Sequence, residues 1–168
     1  MRAFQEDAVV REIVDERQLG SVMFKPNSKS SAEQHQLAVQ NIAEELFPFP
    51  TPEYPHFRTF VNAPAVTQKV FTNYGHELEP DIVVLQWPEK IPVMAAEVVT
   101  EDMLSDAIAE SVWAVEARLA DVQFYLYVPS GSAAQAKKLL KKAKINNVKL
   151  RTWRNNAGLK TVDVAALR

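Results

Sequence analysis

The feature that most constrains the fold of this chain is a pair of apolar runs between residues 78 and 100. Both runs, 78–85 and 91–100, are rich in β-branched residues. Only Trp87-Pro88-Glu89-Lys90 separates them, and so short a connection containing proline favours a β-hairpin.

Each run of this hairpin carries one carboxylate among apolar neighbours. Asp81 stands at the start of the first strand and Glu97 near the end of the second. A carboxylate is costly to bury unless it is paired or bound to a metal. Two carboxylates that a hairpin brings together can hold a divalent cation through hard oxygen ligands. We therefore take Asp81 and Glu97 as the candidate functional centre.

Length and composition indicate a single globular domain over residues 1–168. Hydrophobic residues make up 47% of the chain and charged residues 24%, which is ordinary for a soluble domain. The absence of cysteine excludes a disulfide framework, a thiolate metal site and a thiol nucleophile. No apolar run approaches the roughly 18 residues of a membrane span, and the first residues lack the apolar segment of a signal peptide. We expect a cytoplasmic protein without a membrane segment.

The two ends of the chain differ strongly in charge. Residues 1–129 carry 9 lysines and arginines against 20 acidic residues, whereas residues 130–168 carry 10 against one. The basic block could attract phosphates. The alternative is a solvated helix face, which is the commoner role of a charge run.

Three helices are predicted between residues 30 and 144. Ser30-Ser31-Ala32-Glu33 fits a capping box that opens the first, and a turn at 129–132 precedes the third, whose lysines face outward. Thr100 is the predicted N-cap of the second and longest helix, with Glu116 outside its apolar stripe. The predicted stripe of the first helix is Val39, Ile42, Ala43, Leu46 and Phe47, and that of the second is Leu104, Ile108, Val112, Val115 and Leu119.

Further strands are predicted over residues 57–61, 65–72 and 122–128, with edge strands at 148–153 and 159–164. Residues 8–24 fit either an antiparallel hairpin or a short helix followed by a strand. This order predicts an α/β fold, a sheet of mixed strand directions sandwiched by helices. The helix between Thr100 and Val122 should make a right-handed crossover.

The order of the elements and motifs resembles the restriction-endonuclease-like superfamily, whose signature is written PD-(D/E)XK. More narrowly, it is similar to an abundant bacterial family of endonuclease-like proteins of unknown function. The segments that carry the resemblance are Glu12-Ile13-Val14-Asp15, Lys25-Pro26-Asn27-Ser28, Gln34-His35-Gln36, Pro80-Asp81-Ile82-Val83-Val84, Glu97-Val98-Val99-Thr100 and Gln123-Phe124-Tyr125-Leu126-Tyr127-Val128-Pro129.

The resemblance implies a restriction-endonuclease-like mixed β-sheet and metal-dependent hydrolysis of phosphodiesters, with DNA as a partner. Asp81 and Glu97 would bind Mg²⁺ or Mn²⁺, which stabilises the transition state and supplies hydroxide. The superfamily lysine, two residues after the glutamate, is replaced by Val99. In the narrower family the lysine falls on the following helix, near Val112.

Two residues could complete such a site. Lys69, in a strand near the hairpin, is the best candidate for a displaced catalytic lysine. Glu44 on the first helix could add a carboxylate ligand, as in some relatives. The plainer interpretations are that Asp81 merely begins a strand, that Glu44 is solvated, and that His35 is a hydrogen-bonded rather than a metal-bound histidine.

Three functions therefore remain open. The first is a metal-dependent nuclease or an impaired descendant of one. The second is a non-catalytic module on the same fold that binds nucleic acid through basic side chains. The third is a structural homodimer joined through an exposed edge strand such as 148–153. The basic side chains of the second hypothesis are Lys137, Lys138, Lys141, Arg151 and Arg154.

Overall fold

The computed structural model describes residues 30–155 and 162–166. The elements predicted over residues 8–24, and the motif segments at 12–15 and 25–28, lie outside these ranges. The described elements in chain order are α1 (Ser31–Leu46), β1 (Phe57–Val61), β2 (Val70–Phe71), β3 (Glu77–Leu78), β4 (Ile82–Gln86), β5 (Ile91–Val98), α2 (residues 106–116), β6 (Gln123–Pro129), α3 (Ala133–Lys142), β7 (Val148–Asn155) and β8 (Val162–Ala166).

Six strands form one mixed sheet in the order β1-β4-β5-β6-β7-β8, and β2 and β3 form a separate antiparallel pair. β1, β4 and β5 are antiparallel neighbours, β5, β6 and β7 are parallel, and β8 is antiparallel to β7. Each parallel pair needs a crossover connection, and α2 and α3 lie in these two connections. The predicted α/β class, with helices flanking a mixed sheet, is confirmed.

The predicted hairpin is present as β4 and β5. Ile82 lies opposite Ala96, and the register shifts between Val84 and Leu85. The second strand ends at Val98, two residues earlier than predicted. This hairpin occupies the middle of the sheet, because β1 covers one side of it and β6 the other.

α1 begins where the sequence predicts. The Ser30 hydroxyl accepts from the Glu33 N–H, and the Glu33 carboxylate accepts from the Ser30 N–H at 2.9 Å, so the capping box is complete. Val39, Ile42 and Ala43 are buried, as is Phe47 just after the helix. Leu46, predicted to be in the buried stripe, is 44% exposed, because it lies on the solvent side of the last turn.

The region after Thr100 differs from the prediction. A short 3₁₀ turn, Glu101–Met103, follows Thr100, and α2 begins only at Asp106 with Ser105 as its N-cap. The middle of α2, Ala109–Trp113, is π-helical. A π turn takes up an additional residue, so the buried side of the helix is displaced from the predicted stripe. Ile108, Val112 and Val115 are only half-buried, and the buried residues of the helix are Ala109, Trp113, Ala114 and Glu116.

Two strand predictions are wrong. Of residues 65–72 only Val70–Phe71 is a strand, because the side chain of Asn62 accepts from the Thr67 and Gln68 N–H groups and holds this segment as a loop. β7 is not an edge strand, since β6 pairs with one side of it and β8 with the other. The half-exposed side chains of β7 resemble those of an edge strand. Because β7 is paired on both sides, residues 148–153 offer no free strand edge for the predicted homodimer.

The sheet separates two cores. On one face α1 packs against alternate residues of the hairpin, among them Ile82, Val84 and Ala96. On the other face α2 and α3 pack against Val83, Leu85 and the remaining alternate positions. The end of the sheet where β4 begins and β5 ends lies between α1 and α2, so side chains from both helices can reach it.

Candidate functional site

Asp81 and Glu97 are brought together by the register of the hairpin. Since Ile82 lies opposite Ala96, continuing this register by one residue sets Asp81 opposite Glu97. Directly opposed residues of an antiparallel pair share a face, with Cβ atoms about 5 Å apart. The Asp81 N–H donates to Glu97 Oε1 at 3.3 Å, which ties the two residues directly. Both are buried, at 9% and 6% exposure.

Asp81 is held by one backbone and one side-chain partner. Its Oδ2 atom accepts from the Val98 N–H at 2.9 Å and lies 3.0 Å from His35 Nε2. His35 projects from the second turn of α1 and is still 21% exposed along its side chain. The hydrogen bond to Asp81 raises the pKa of His35, with a smaller contribution from the charge of Asp81. His35 is thus a hydrogen-bonded histidine at the mouth of the site.

A third carboxyl group, that of Glu116, meets Glu97 from α2. The two side chains are hydrogen-bonded to each other, and Glu116 is 3% exposed. Burial raises the pKa of Glu97 well above its usual range, and the charges of Glu116 and Asp81 raise it further. Burial also raises the pKa of Glu116 to about 8. A hydrogen bond between two carboxyl groups needs a proton on at least one of them, and burial favours the protonated form of both.

Asn62 positions the start of β4, where Asp81 stands. Its N–H donates to the Asp81 carbonyl at 2.8 Å, and its Nδ2 atom donates to the Pro80 carbonyl at 2.7 Å. The same side chain binds Thr67 and Gln68, so one buried amide fixes both the loop and the Pro-Asp segment. Nothing in its sequence context distinguished Asn62 from an ordinary turn residue.

Two depressions adjoin the first turns of α1. A cleft of about 530 Å³ lies at the carboxyl ends of β5, β6 and β7, where open α/β sheets commonly bind ligands. Its lining includes Ser31, Gln34, Thr100, Asp102, Ser130 and Arg154. A smaller crevice of about 270 Å³ is lined by His35 and by Asn62, Ala63 and Pro64. Hydrogen bonds from Thr100 and Ser31 lower the pKa of Asp102, so the wall of the larger cleft carries a stable negative charge.

The other predicted site residues lie in different places. Lys69 binds Glu77 and, at 3.0 Å, Glu79 on the β2–β3 side, so its contacts are with surface carboxylates. Glu44 lies on the exposed side of α1. The positions expected for the superfamily lysine are occupied by Val99, fully buried, and Val112, half-buried.

The predicted nucleic-acid contacts are spread over two elements. Lys137, Lys138 and Lys141 are exposed along α3. Arg151 is half-buried and donates to the Leu150 carbonyl, whereas Arg154 is exposed at the larger cleft. The neighbouring Trp153 is buried and its Nε1 donates to the Val99 carbonyl at 3.1 Å, so it packs in the core and cannot stack on a base.

Glu116 is the site residue that sequence reasoning missed. The pattern placed it outside the apolar stripe of its helix, among the solvent-facing acids. One signal was present, because Ala109, Trp113 and Glu116 recur at helical spacing and Trp113 is the largest apolar side chain of the segment. Across the described ranges, no group of three or more histidine, aspartate or glutamate side chains is placed so that it could hold a metal ion.

The comparisons with known proteins bring no relatives. The sequence matches no protein family, and neither a curated protein nor a solved structure is significantly similar to it. Within residues 30–155 and 162–166, none of the helices has the length and apolar character needed to cross a bilayer.

Proposed function

We propose that this protein is a restriction-endonuclease-like, divalent-cation-dependent phosphodiester hydrolase whose cation is held by Asp81 and Glu97. The observation that supports this most is the direct opposition of the two carboxylates, linked by the hydrogen bond from the Asp81 N–H to Glu97 Oε1. Like-charged residues in directly opposed positions destabilise a sheet. A divalent cation bound between the two carboxylates would neutralise this repulsion.

The chemistry of the donors fits Mg²⁺ or Mn²⁺. Carboxylate oxygens are the ligands that these hard cations prefer, and the chain has no cysteine thiolate to favour a softer metal. The accessible entrance lies at Asp81 and His35, whose side chains are 12% and 21% exposed, while Glu97 lies deeper. When bound, such an ion stabilises the charge of the pentavalent transition state and lowers the pKa of a bound water.

The protein's own residues orient this site. The Val98 N–H and His35 together hold Asp81 Oδ2 in place. The valines at 99 and 112 can neither donate a proton nor orient a water. Lys69 would have to leave Glu77 and Glu79 to take over that role. We expect hydrolysis to be slow for this reason.

Cation binding is testable with a variant that preserves the fold. Asp81→Asn keeps an acceptor for the Val98 N–H but removes the charge, and Glu89→Gln in the exposed β4–β5 turn is the matched control. Titration of Mn²⁺ by calorimetry should show one site in the parent and in the control, and at least tenfold weaker binding in Asp81→Asn. Cleavage of plasmid DNA with Mn²⁺ should follow the same order. No Mn²⁺ binding by the parent, or equal binding by Asp81→Asn, would refute the proposal.

The second candidate is a non-catalytic nucleic-acid-binding module on the same fold. It is favoured by Lys137, Lys138 and Lys141, which are exposed on α3, and by Arg154 at the larger cleft. Each phosphate that these side chains neutralise releases counterions, so affinity for DNA should fall steeply with salt. Simultaneous Lys137→Gln, Lys138→Gln and Lys141→Gln should reduce that slope by about three. Binding that does not change between 50 and 200 mM salt would contradict this alternative.

A further inference from the structure

The β2–β3 hairpin exposes apolar side chains that neither core uses. Val66 lies in the loop before the hairpin, Phe71 lies in β2 and Tyr74 lies at the tip. Their exposed fractions are 44%, 60% and 90%. A single exposed apolar side chain is ordinary, but several along one short segment indicate a contact surface.

The tip of this hairpin is held in place by its own hydrogen bonds. The Gly75 N–H donates to the Thr72 carbonyl at 2.9 Å, which closes a turn with Tyr74 as its third residue. The Thr72 N–H donates to the His76 carbonyl at 2.9 Å, and the Thr72 hydroxyl accepts from the His76 N–H at 3.1 Å. Gly75 has a φ of 79°, which glycine adopts without strain. The turn therefore presents the ring of Tyr74 to solvent.

A cavity of about 320 Å³ lies where this tip meets the end of α2. Ligand sites commonly have volumes of roughly 300 to 1,000 Å³, so this one has room for a small ligand. On the helix side, the π-helical segment displaces Val115 from the predicted buried stripe and leaves it half-buried at the cavity. Arg118, just after the helix, is exposed. The cavity is lined by Thr72, Asn73, Tyr74, His76, Val115 and Arg118.

Arg118 gives this cavity a positive charge. None of the ion pairs within the described ranges includes Arg118. The carboxylates of Glu77 and Glu79, which follow the tip, are both bound by Lys69, so their repulsion of an anion is reduced. A cation after the last turn of a helix also complements the helix dipole, so Arg118 alone would not indicate a ligand. In the same cavity as Tyr74 it does, because a guanidinium binds phosphate through two parallel hydrogen bonds and an aromatic ring stacks on a base.

We propose that this cavity binds one nucleotide unit of a single-stranded nucleic acid, with the base stacked on Tyr74 and the phosphate bound to Arg118. Bases within a duplex are stacked on both faces, so only an unpaired strand can offer a free face to Tyr74. Every base has such a face, so the site selects single strands rather than a sequence. The inference does not depend on the cation proposed at Asp81 and Glu97, and the site is separate from the lysines of α3.

Binding at this site should depend more on stacking than on phosphate charge. Residues 1–129 carry 20 acidic side chains against 9 lysines and arginines, so the strand is not attracted from a distance. In single strands, each neutralised phosphate contributes about 0.7 to the slope of log affinity against log salt concentration. One phosphate at Arg118 should give a slope of about 0.7, which Arg118→Gln should remove. A slope of about two or more would place the phosphate contacts elsewhere and contradict the proposal.

The test is fluorescence anisotropy of a short fluorescein-labelled oligothymidylate, titrated with the full chain in EDTA. Because Tyr74 is exposed, Tyr74→Ala should keep the fold, and it should weaken binding by about fivefold or more. Tyr74→Phe keeps the stacking face and should bind as the parent does. Trp87→Ala removes an exposed aromatic ring from the turn at the other end of β4, and this matched control should also bind as the parent does.

Three results would overturn the proposal. They are no binding by the parent, equal binding by Tyr74→Ala, and a duplex of the same length that binds as tightly as the single strand. Thymidine monophosphate that displaces the oligonucleotide at an equal molar concentration would also overturn it, because a free nucleotide would then suffice. Asp81→Asn should bind the oligonucleotide as the parent does, so this inference and the proposed hydrolase can fail separately.

Discussion

Replacing Glu116 with glutamine should flatten the dependence of stability on pH. The pKa of Glu116 is raised to about 8 in the folded protein, from 4.5 in the unfolded chain. Between these two values the folded state holds one proton more than the unfolded state. The free energy of unfolding must therefore fall as pH rises through this window, because each unit of pH favours the state with fewer protons. The decrease is roughly 1 kcal/mol per pH unit for one group, and several kcal/mol over the window.

Two other groups, Glu97 and His35, also contribute less to the free energy of unfolding as pH rises. The pKa of Glu97 is raised mainly by its own burial, so most of its contribution persists in Glu116→Gln, although the repulsion from Glu116 is lost. Because the pKa of His35 is raised in the folded protein, its protonated form stabilises the fold fully below pH 6.5. This stabilisation is lost as pH rises through the folded-state pKa of His35. His35 is present in both proteins, so its contribution cancels in the difference between their free energies of unfolding.

Urea denaturation at pH 5, 6, 7 and 8 in the presence of EDTA measures this difference. Tryptophan fluorescence is a suitable signal, because Trp113 and Trp153 are both buried in the core. The two proteins should have similar stabilities near pH 5, and by pH 8 Glu116→Gln should be the more stable by several kcal/mol. Glu110→Gln, exposed on the same helix, is the control and should follow the parent. Parallel profiles for the parent and Glu116→Gln would show that Glu116 is not a buried titrating acid, and would refute this reasoning.

Three other substitutions test the supports of the site. Asn62→Ala should lower the free energy of unfolding by about 3 kcal/mol in urea, since it leaves the buried Pro80 carbonyl without its donor; a loss below 1 kcal/mol would contradict this role. Ser30→Ala should cost about 1 kcal/mol by removing the N-cap of α1, and Ser30→Thr, which keeps the hydroxyl, should cost less. Trp153→Phe should cost about 1 kcal/mol through loss of the bond to the Val99 carbonyl, with unchanged stability as the contrary outcome.

The central hairpin is an element that the local sequence pattern predicts correctly. Two β-branched runs with a four-residue connection predict the pairing of β4 with β5, and the pairing by itself sets Asp81 opposite Glu97. The capping box of α1 is equally local, because both of its partners lie within four residues. The nuclease-like function and its cation stay predictions, since no comparison with known proteins bears on them.

The sequence by itself determined the α/β class, the central hairpin, the start of α1 and the convergence of two carboxylates, because each depends on neighbours along the chain or on one short connection. Only the tertiary structure decided that Glu116 is buried beside Glu97, that Asn62 holds Pro80 and Asp81, and that β7 lies inside the sheet. These outcomes depend on contacts between distant segments, and on a π turn that displaces the buried face of α2. A periodic pattern assumes a regular helix, so it assigned Glu116 to solvent.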